Sequence, residues 1–226
     1  MNVINSPKVS TGQLLHLGSL VVLFPLVWYG WKVLERPFPV VFWITIGIPI
    51  AHQVYVWLAW RLELRSGATG RVIGFKRYLI LFFLLFAGRF ILLITLAWLD
   101  RGSLGLSILY QTILTAILTL PGIYAMYSVV RYFGLKRAAG ADHFDPQYRE
   151  MPLVNNGIFR FTKNGMYVYA FLLHWAIAFA FDSSAALLAT GFSHIYIWVH
   201  YYATEKPDMD FLYGSGKAEN AQGGTY

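Results

Sequence analysis

The chain has 226 residues, 57% of them hydrophobic and only 13% charged, with a mean hydropathy of +0.51; that balance excludes an ordinary soluble domain and places most of the chain in lipid. The formal charge of +7 does not point to nucleic acid, because the Lys and Arg fall in the gaps between apolar runs and form no separate basic domain. Cysteine is absent, which excludes disulfides, thiolate metal sites and a cysteine nucleophile.

A helix needs about 20 residues to cross the hydrocarbon layer. Apolar runs of this kind fall near residues 13–34, 38–60, 78–99, 104–132, 166–181 and 185–202, the fifth rather short. They predict an all-α, polytopic transmembrane helix bundle of about six spans. Met1–Gln13 is polar with a single Lys8, and the run after it is long enough to span, so a retained helix is expected rather than a cleaved signal. Between the runs lie Glu35-Arg36-Pro37, the basic stretch from Arg61 to Arg77, Asp100-Arg101-Gly102 and the long segment from Phe133 to Lys163. With the N-terminus inside, fourteen of the eighteen Lys and Arg lie on the inner side, three lie outside, and Arg89 lies within a span. The positive-inside rule therefore puts both termini in the cytoplasm, of a cell inner membrane or the endoplasmic reticulum.

The first span carries His16 and an interfacial group of Trp28, Tyr29 and Trp31, as an anchor and packing helix does. In the second, His52 and Gln53 put polar atoms at depth beside Pro49; His52 is read either as bonded to a neighbouring helix or as lining a substrate path. Arg89 sits near the middle of the third, too deep to snorkel easily and with no acidic residue at mid-span. It is either a structural arginine bonded to carbonyls and tyrosines or an anion contact in a lipid-accessible cavity. The fourth holds Gln111 and Pro121-Gly122, where a kink is expected. Tyr132–Asn156 is polar and irregular, and is expected to lie over the cytoplasmic face as a connector that helps close a pocket; Gly134 and Gly140 within it allow tight turns or a close approach.

The last quarter reads as a basic loop, a helix from near Met166, a tight Asp182-Ser183-Ser184 corner, a second helix and a polar exit at Glu205-Lys206-Pro207. Such a hairpin brings Lys163, Asn164 and Tyr167 near His200, Tyr201 and Glu205. His194, Trp198, Tyr201 and Glu205 share one helix face by their spacing, as do Tyr167, Ala170 and His174. The chain thus divides into N-terminal transmembrane helices (1–132), a cytoplasmic loop plus hairpin (133–214) and a Gly-rich tail (215–226) expected to be disordered.

GIFRFTKNGMY, followed by an apolar hairpin and EKPDMDFLYG, resembles the C-terminal half of the membrane methyltransferases that include phosphatidylethanolamine N-methyltransferase and isoprenylcysteine carboxyl methyltransferase. The resemblance covers roughly Phe133 to Gly214 and implies that S-adenosyl-L-methionine binds at the cytosolic ends of the last helices. In the family's Arg-His/Asn-Pro-x-Tyr loop, Lys163 takes the arginine's place, Asn164 the His/Asn and Gly165 the proline, while Met166 and Tyr167 match directly. Glu205 matches the first of a Glu-Glu pair and Lys206 takes the second. Lys163 keeps the charge but loses the guanidinium fork, Gly165 loosens a turn that proline fixes, and Lys206 reverses a charge.

By that resemblance the cofactor-binding residues are Lys163, Asn164, Met166, Tyr167, Tyr201 and Glu205. Lys163 pairs with the cofactor's carboxylate, Glu205 with its ammonium or sulfonium end, and Tyr167 or Tyr201 stacks on the positive centre. Glu205, Tyr167 and His200 are the catalytic candidates, Glu205 or His200 accepting the proton of an amine acceptor. Arg89 and His52 face the lipid substrate, and Arg89 favours a phospholipid. A prenylcysteine carboxylate acceptor, a catalytically silent lipid-binding member of the family and a small transporter stay open at this stage. A metal site is not indicated, since His174, His194 and His200 lack a tight ligand spacing.

Overall fold

The computed structural model describes residues 6–222 apart from Lys163, with side chains described as far as Gly214. Its helices are α1 (Gln13–Val33), α2 (Pro39–Ser66), the short α3 (Ala68–Val72), α4 (Phe75–Leu99), α5 (Ile108–Ser128), the short α6 (Leu135–Ala138) and α7 (Ala141–Phe144), α8 (Leu172–Ala180), α9 (Ser184–His200) and α10 (Lys206–Gln222). No strand occurs among the described residues. Three five-residue π-helical turns extend this set: Val129–Phe133 after α5, Met166–Ala170 before α8 and Tyr201–Glu205 between α9 and α10. Four of the helices, α1, α2, α4 and α5 with its π turn, are long and apolar enough to cross a membrane, as an integral membrane bundle requires. The fifth predicted run is a shorter apolar helix over Met166–Ala180.

α8 and α9 pack side by side and reach the far end of the bundle. There Asp182 and Ser183 turn the chain between them, with Asp182 at a φ of 53°. The turn is tied to the loop after α4. Asp100 Oδ2 accepts from Ser103 Oγ (2.7 Å), Ser183 Oγ (2.7 Å) and the Ala185 amide (2.9 Å), while Asp182 Oδ1 accepts from the Leu106 amide at 3.1 Å. Ser183 also caps α9, its hydroxyl accepting from the Ala186 amide at 3.1 Å.

Small residues on the hairpin let helices approach closely, which is how membrane helices associate without a hydrophobic drive. Ala178, Ala185, Ala186 and Ala189 are fully buried against Phe42, Ile46 and Leu96. α5 runs through Pro121 without a break, and Gly122 brings it against α8: a Cβ there would lie 2.8 Å from the Leu173 side chain. Outward faces of α1, α4 and α5 carry exposed Leu, Ile and Val, a pattern suited to lipid rather than water.

At the opposite end the N-terminal segment, the end of α2, residues 133–160 and α10 come together. Trp57 Nε1 donates to the Val9 carbonyl at 2.8 Å and Arg61 Nη1 to the Lys8 carbonyl at 2.7 Å. The segment expected as a connector that helps close a pocket is itself packed: Ala139, Ala141, Asp142 and His143 are buried, and the Ile158 amide donates to Ser128 Oγ at 3.0 Å. Gly140 serves a close approach to protein, since a Cβ there would sit 2.4 Å from the Trp60 ring. α10 runs as helix through Gln222, and its first turn carries the buried Asp208.

Asp100→Ala removes one acceptor from three donors, two of them on buried residues. The expected cost is about 2–4 kcal/mol, read as a lowered midpoint for loss of the monodisperse peak when the detergent-solubilised protein is heated.

Candidate active site

A cavity of about 160 Å³ lies between α2, α4, α5 and the hairpin, roofed by Leu135 and Ala138 of the segment that follows α5. His52, Arg89, Met166, Tyr167 and His200, which the sequence placed on four different helices, all line it. Ala170 and His174 join Tyr167 on one wall, as their spacing predicts. His52 does not bond a neighbouring helix: neither ring nitrogen has a protein partner, and its ring meets the edge of Phe82 at 4.7 Å. Arg89 is likewise not bonded through Nε or Nη2 to any carbonyl or tyrosine; its guanidinium lies over the Phe171 ring at 5.5 Å.

Behind Tyr167 sits Glu205, whose Oε2 accepts a short hydrogen bond from the Tyr167 hydroxyl. The Tyr167 ring also meets Trp198 and Tyr201, each at 5.7 Å between centroids, so the face read from the helical spacing does converge on this tyrosine. His194 completes the link between the two helices. Its Nδ1 accepts from Trp175 Nε1 at 2.9 Å, which leaves Nε2 to donate to the Tyr167 carbonyl at 3.1 Å. Burial pushes the Glu205 carboxyl up to about 7, although the Tyr167 hydrogen bond pulls the other way.

Tyr201 and Asn164 do not line the cavity: Tyr201 packs among Tyr167, Trp198 and Tyr202, and the Asn164 backbone is held by the loop, its amide donating to Thr162 Oγ1 at 3.1 Å. Lys163 lies outside the described residues. Lys206 does not press its charge on Glu205, because its Nζ turns to Asp210 at 2.7 Å on the exposed surface. Gly165 leaves the space that a side chain would need to Ile158, whose Cγ2 lies 2.8 Å from the position of a Cβ.

A buried ionic cluster beside the cavity was not foreseen. Arg61 Nε pairs with Asp208 Oδ1 at 2.8 Å, both side chains fully buried, and Asp208 Oδ2 lies 3.4 Å from His143 Nε2. His143 Nδ1 is 3.0 Å from Asp142 Oδ1, and Asp142 Oδ2 accepts from the Tyr213 hydroxyl at 2.8 Å. Trp60, a wall of the cavity, stacks on the His143 ring at 4.1 Å. The adjacent acid and histidine in ADHFD were the available signal, together with an arginine at the end of an apolar run. Their partners are too far away in sequence for spacing to pair them.

Residues 110–216 match the family model described as phospholipid methyltransferase, a stretch running from α5 through the hairpin into α10. Comparison with curated proteins and with solved structures gives no match.

Within that stretch, burial works against a charge on His143, but hydrogen bonds to Asp142 and Asp208 outweigh it and hold the imidazolium above its ordinary 6.5. Burial also pushes Asp142 up, yet His143 and Tyr213 keep it below its ordinary 3.8. The His143 contribution to stability is fully present below 6.5 and is lost as pH rises through the raised value. That of Asp142 is present above 3.8 and is lost as pH falls through the lowered value. Thermal stability in detergent is therefore expected to decline as pH rises above 6.5, and His143→Phe to be less stable in acid but to lose the decline. An unchanged alkaline slope in the variant would count against this assignment.

Proposed function

We infer from residues 110–216, which match the family model described as phospholipid methyltransferase, that this integral membrane protein transfers a methyl group from S-adenosylmethionine to a membrane-embedded acceptor, the amine head group of a phospholipid. The observation that carries the reading is the Tyr167–Glu205 pair set against a cavity that opens among membrane helices. Glu205 is a carboxylate in need of a cation, since the neighbouring Lys206 is engaged by Asp210 and Arg61 by Asp208. With the rings of Tyr167, Trp198 and Tyr201 around it, this corner fits a sulfonium or ammonium group. When bound, S-adenosylmethionine supplies a methyl group on positively charged sulfur.

The chain's own residues have three tasks. Glu205 holds the cation, and the aromatic faces beside it favour positive charge over neutral product. Buried walls keep water out and the acceptor within attack distance, the main demand of an in-line displacement. An amine acceptor must first lose a proton, and His200 Nδ1, which lines the cavity and has no protein partner, can take it. By the family resemblance, Lys163 meets the carboxylate of the donor and Asn164 is a further cofactor contact. Clustering of Lys8, Arg61 and the basic segment at the end that holds Glu205 supports a cytoplasmic site and cytoplasmic termini.

Labelled-methyl transfer from S-adenosylmethionine into extracted lipid tests the reading. Wild type should label the phospholipid fraction, and Glu205→Ala should lower the rate at least about a hundredfold. Label that survives the substitution would remove Glu205 from this role. Because the carboxyl titrates at about 7, affinity for the sulfonium donor should rise about tenfold from pH 6 to pH 8. Glu205→Gln should flatten that dependence in a calorimetric titration.

A further inference from the structure

The cavity wall holds more unpaired polarity than the transfer of a methyl group explains. Arg89 is 6% exposed, and both its Nε and Nη2 are without a partner. These two N–H groups lie on one edge of the guanidinium and point in parallel, which is the edge that grips two oxygens of a carboxylate or phosphate. Arg89 Cζ lies over the Phe171 ring at 5.5 Å from its centroid, a contact that leaves both N–H groups without an acceptor. Gln53, at 2% exposed, has neither amide atom bonded, and both ring nitrogens of His52 and of His174 are also unpaired. All four side chains line the same cavity.

No Asp or Glu lines the cavity, and Glu205 is held by Tyr167. An arginine does not shed its charge, so a buried guanidinium in a membrane span calls for an anion. Water could fill some of about 160 Å³ and satisfy N–H groups, but it brings no opposite charge. Much of the remaining wall is apolar: Phe82, Phe83 and Phe86 from α4, Met126 from α5 and Val129 from the π turn after it all line the cavity. α4 and α5 each pack on α8, and apolar side chains of both line the cavity.

We propose that the Arg89 end of the cavity is a subsite for the oxyanion of an anionic or zwitterionic amphiphile, with Gln53, His52 and His174 as further polar contacts and the apolar part leaving between α4 and α5. Under the methyl-transfer reading this molecule is the acceptor, and the deepening rests on that reading; the subsite itself rests on the unpaired groups. Phosphate and carboxylate share the chemistry that the arginine edge recognises.

Native mass spectrometry of the full chain in detergent, without any methyl donor, separates the sources. The probes are dihexanoylphosphatidylethanolamine, decanoate, the neutral dihexanoylglycerol and inorganic phosphate. One or both of the oxyanion-bearing amphiphiles should bind at least about tenfold more tightly than dihexanoylglycerol, the stronger of them identifying phosphate or carboxylate as the ligand group. Arg89→Gln should abolish the preference while leaving dihexanoylglycerol binding unchanged. If that variant does not fold, the Gln53→Leu, His174→Phe double variant should reduce the preference at least about threefold. The proposal is overturned by equal binding of the neutral lipid, by a preference that survives these substitutions, or by inorganic phosphate binding as tightly as the amphiphiles. Since no donor is present, failure of methyl transfer in the labelling assay leaves this result standing, and failure here leaves the transferase reading standing.

Discussion

The Arg61–Asp208 ion pair is the contact on which the arrangement of the site depends. Both partners are fully buried, and the same guanidinium donates to the carbonyls of Lys8, Ala203 and Thr204. One side chain at the end of α2 therefore fixes the N-terminal segment, the π turn before α10 and the first turn of α10. A buried pair of this kind adds little stability over an apolar substitute, but it tolerates no loss of one partner and admits one geometry. That geometry sets where Glu205 points, three residues before Asp208.

The bundle handles polarity in two ways. At its far end, Asp100 Oδ2 accepts from three donors, two of them on the facing turn of the hairpin, as a dry interior demands. Around the cavity the opposite holds, and several buried groups have no protein partner. The three π turns lie at the ends of α5, α8 and α9 that face this region. Each adds a residue to a turn and so re-aims the side chains beyond it; such turns are frequent at functional sites. The two at Met166–Ala170 and Tyr201–Glu205 carry Tyr167 and Glu205, whose contact joins the two helices of the hairpin.

Where the chain departs from the family's loop and acid pair, the structure supplies local reasons. Lys206 begins α10 and reaches Asp210 one turn on, a pairing favoured on an exposed helix face, so its charge leaves the Glu205 pocket. Gly165 meets Ile158 of the preceding turn. These are changes in packing that keep the carboxylate and the tyrosine together.

The apolar runs, their lengths and the basic bias of the intervening loops determined, from sequence alone, a polytopic helical bundle and the grouping of the last two helices, because both follow from residue type and from local period. The polar residues within spans, His52, Arg89 and His200, were recognisable for the same reason: they break an apolar pattern. Only the tertiary structure decided that they share one cavity with Tyr167, that Lys206 turns away from Glu205, and that Arg61, Asp142, His143 and Asp208 form a single buried cluster. Those facts depend on how helices distant in sequence rotate against one another, and rotation is set by side-chain packing across the interface, which no periodicity along one segment encodes.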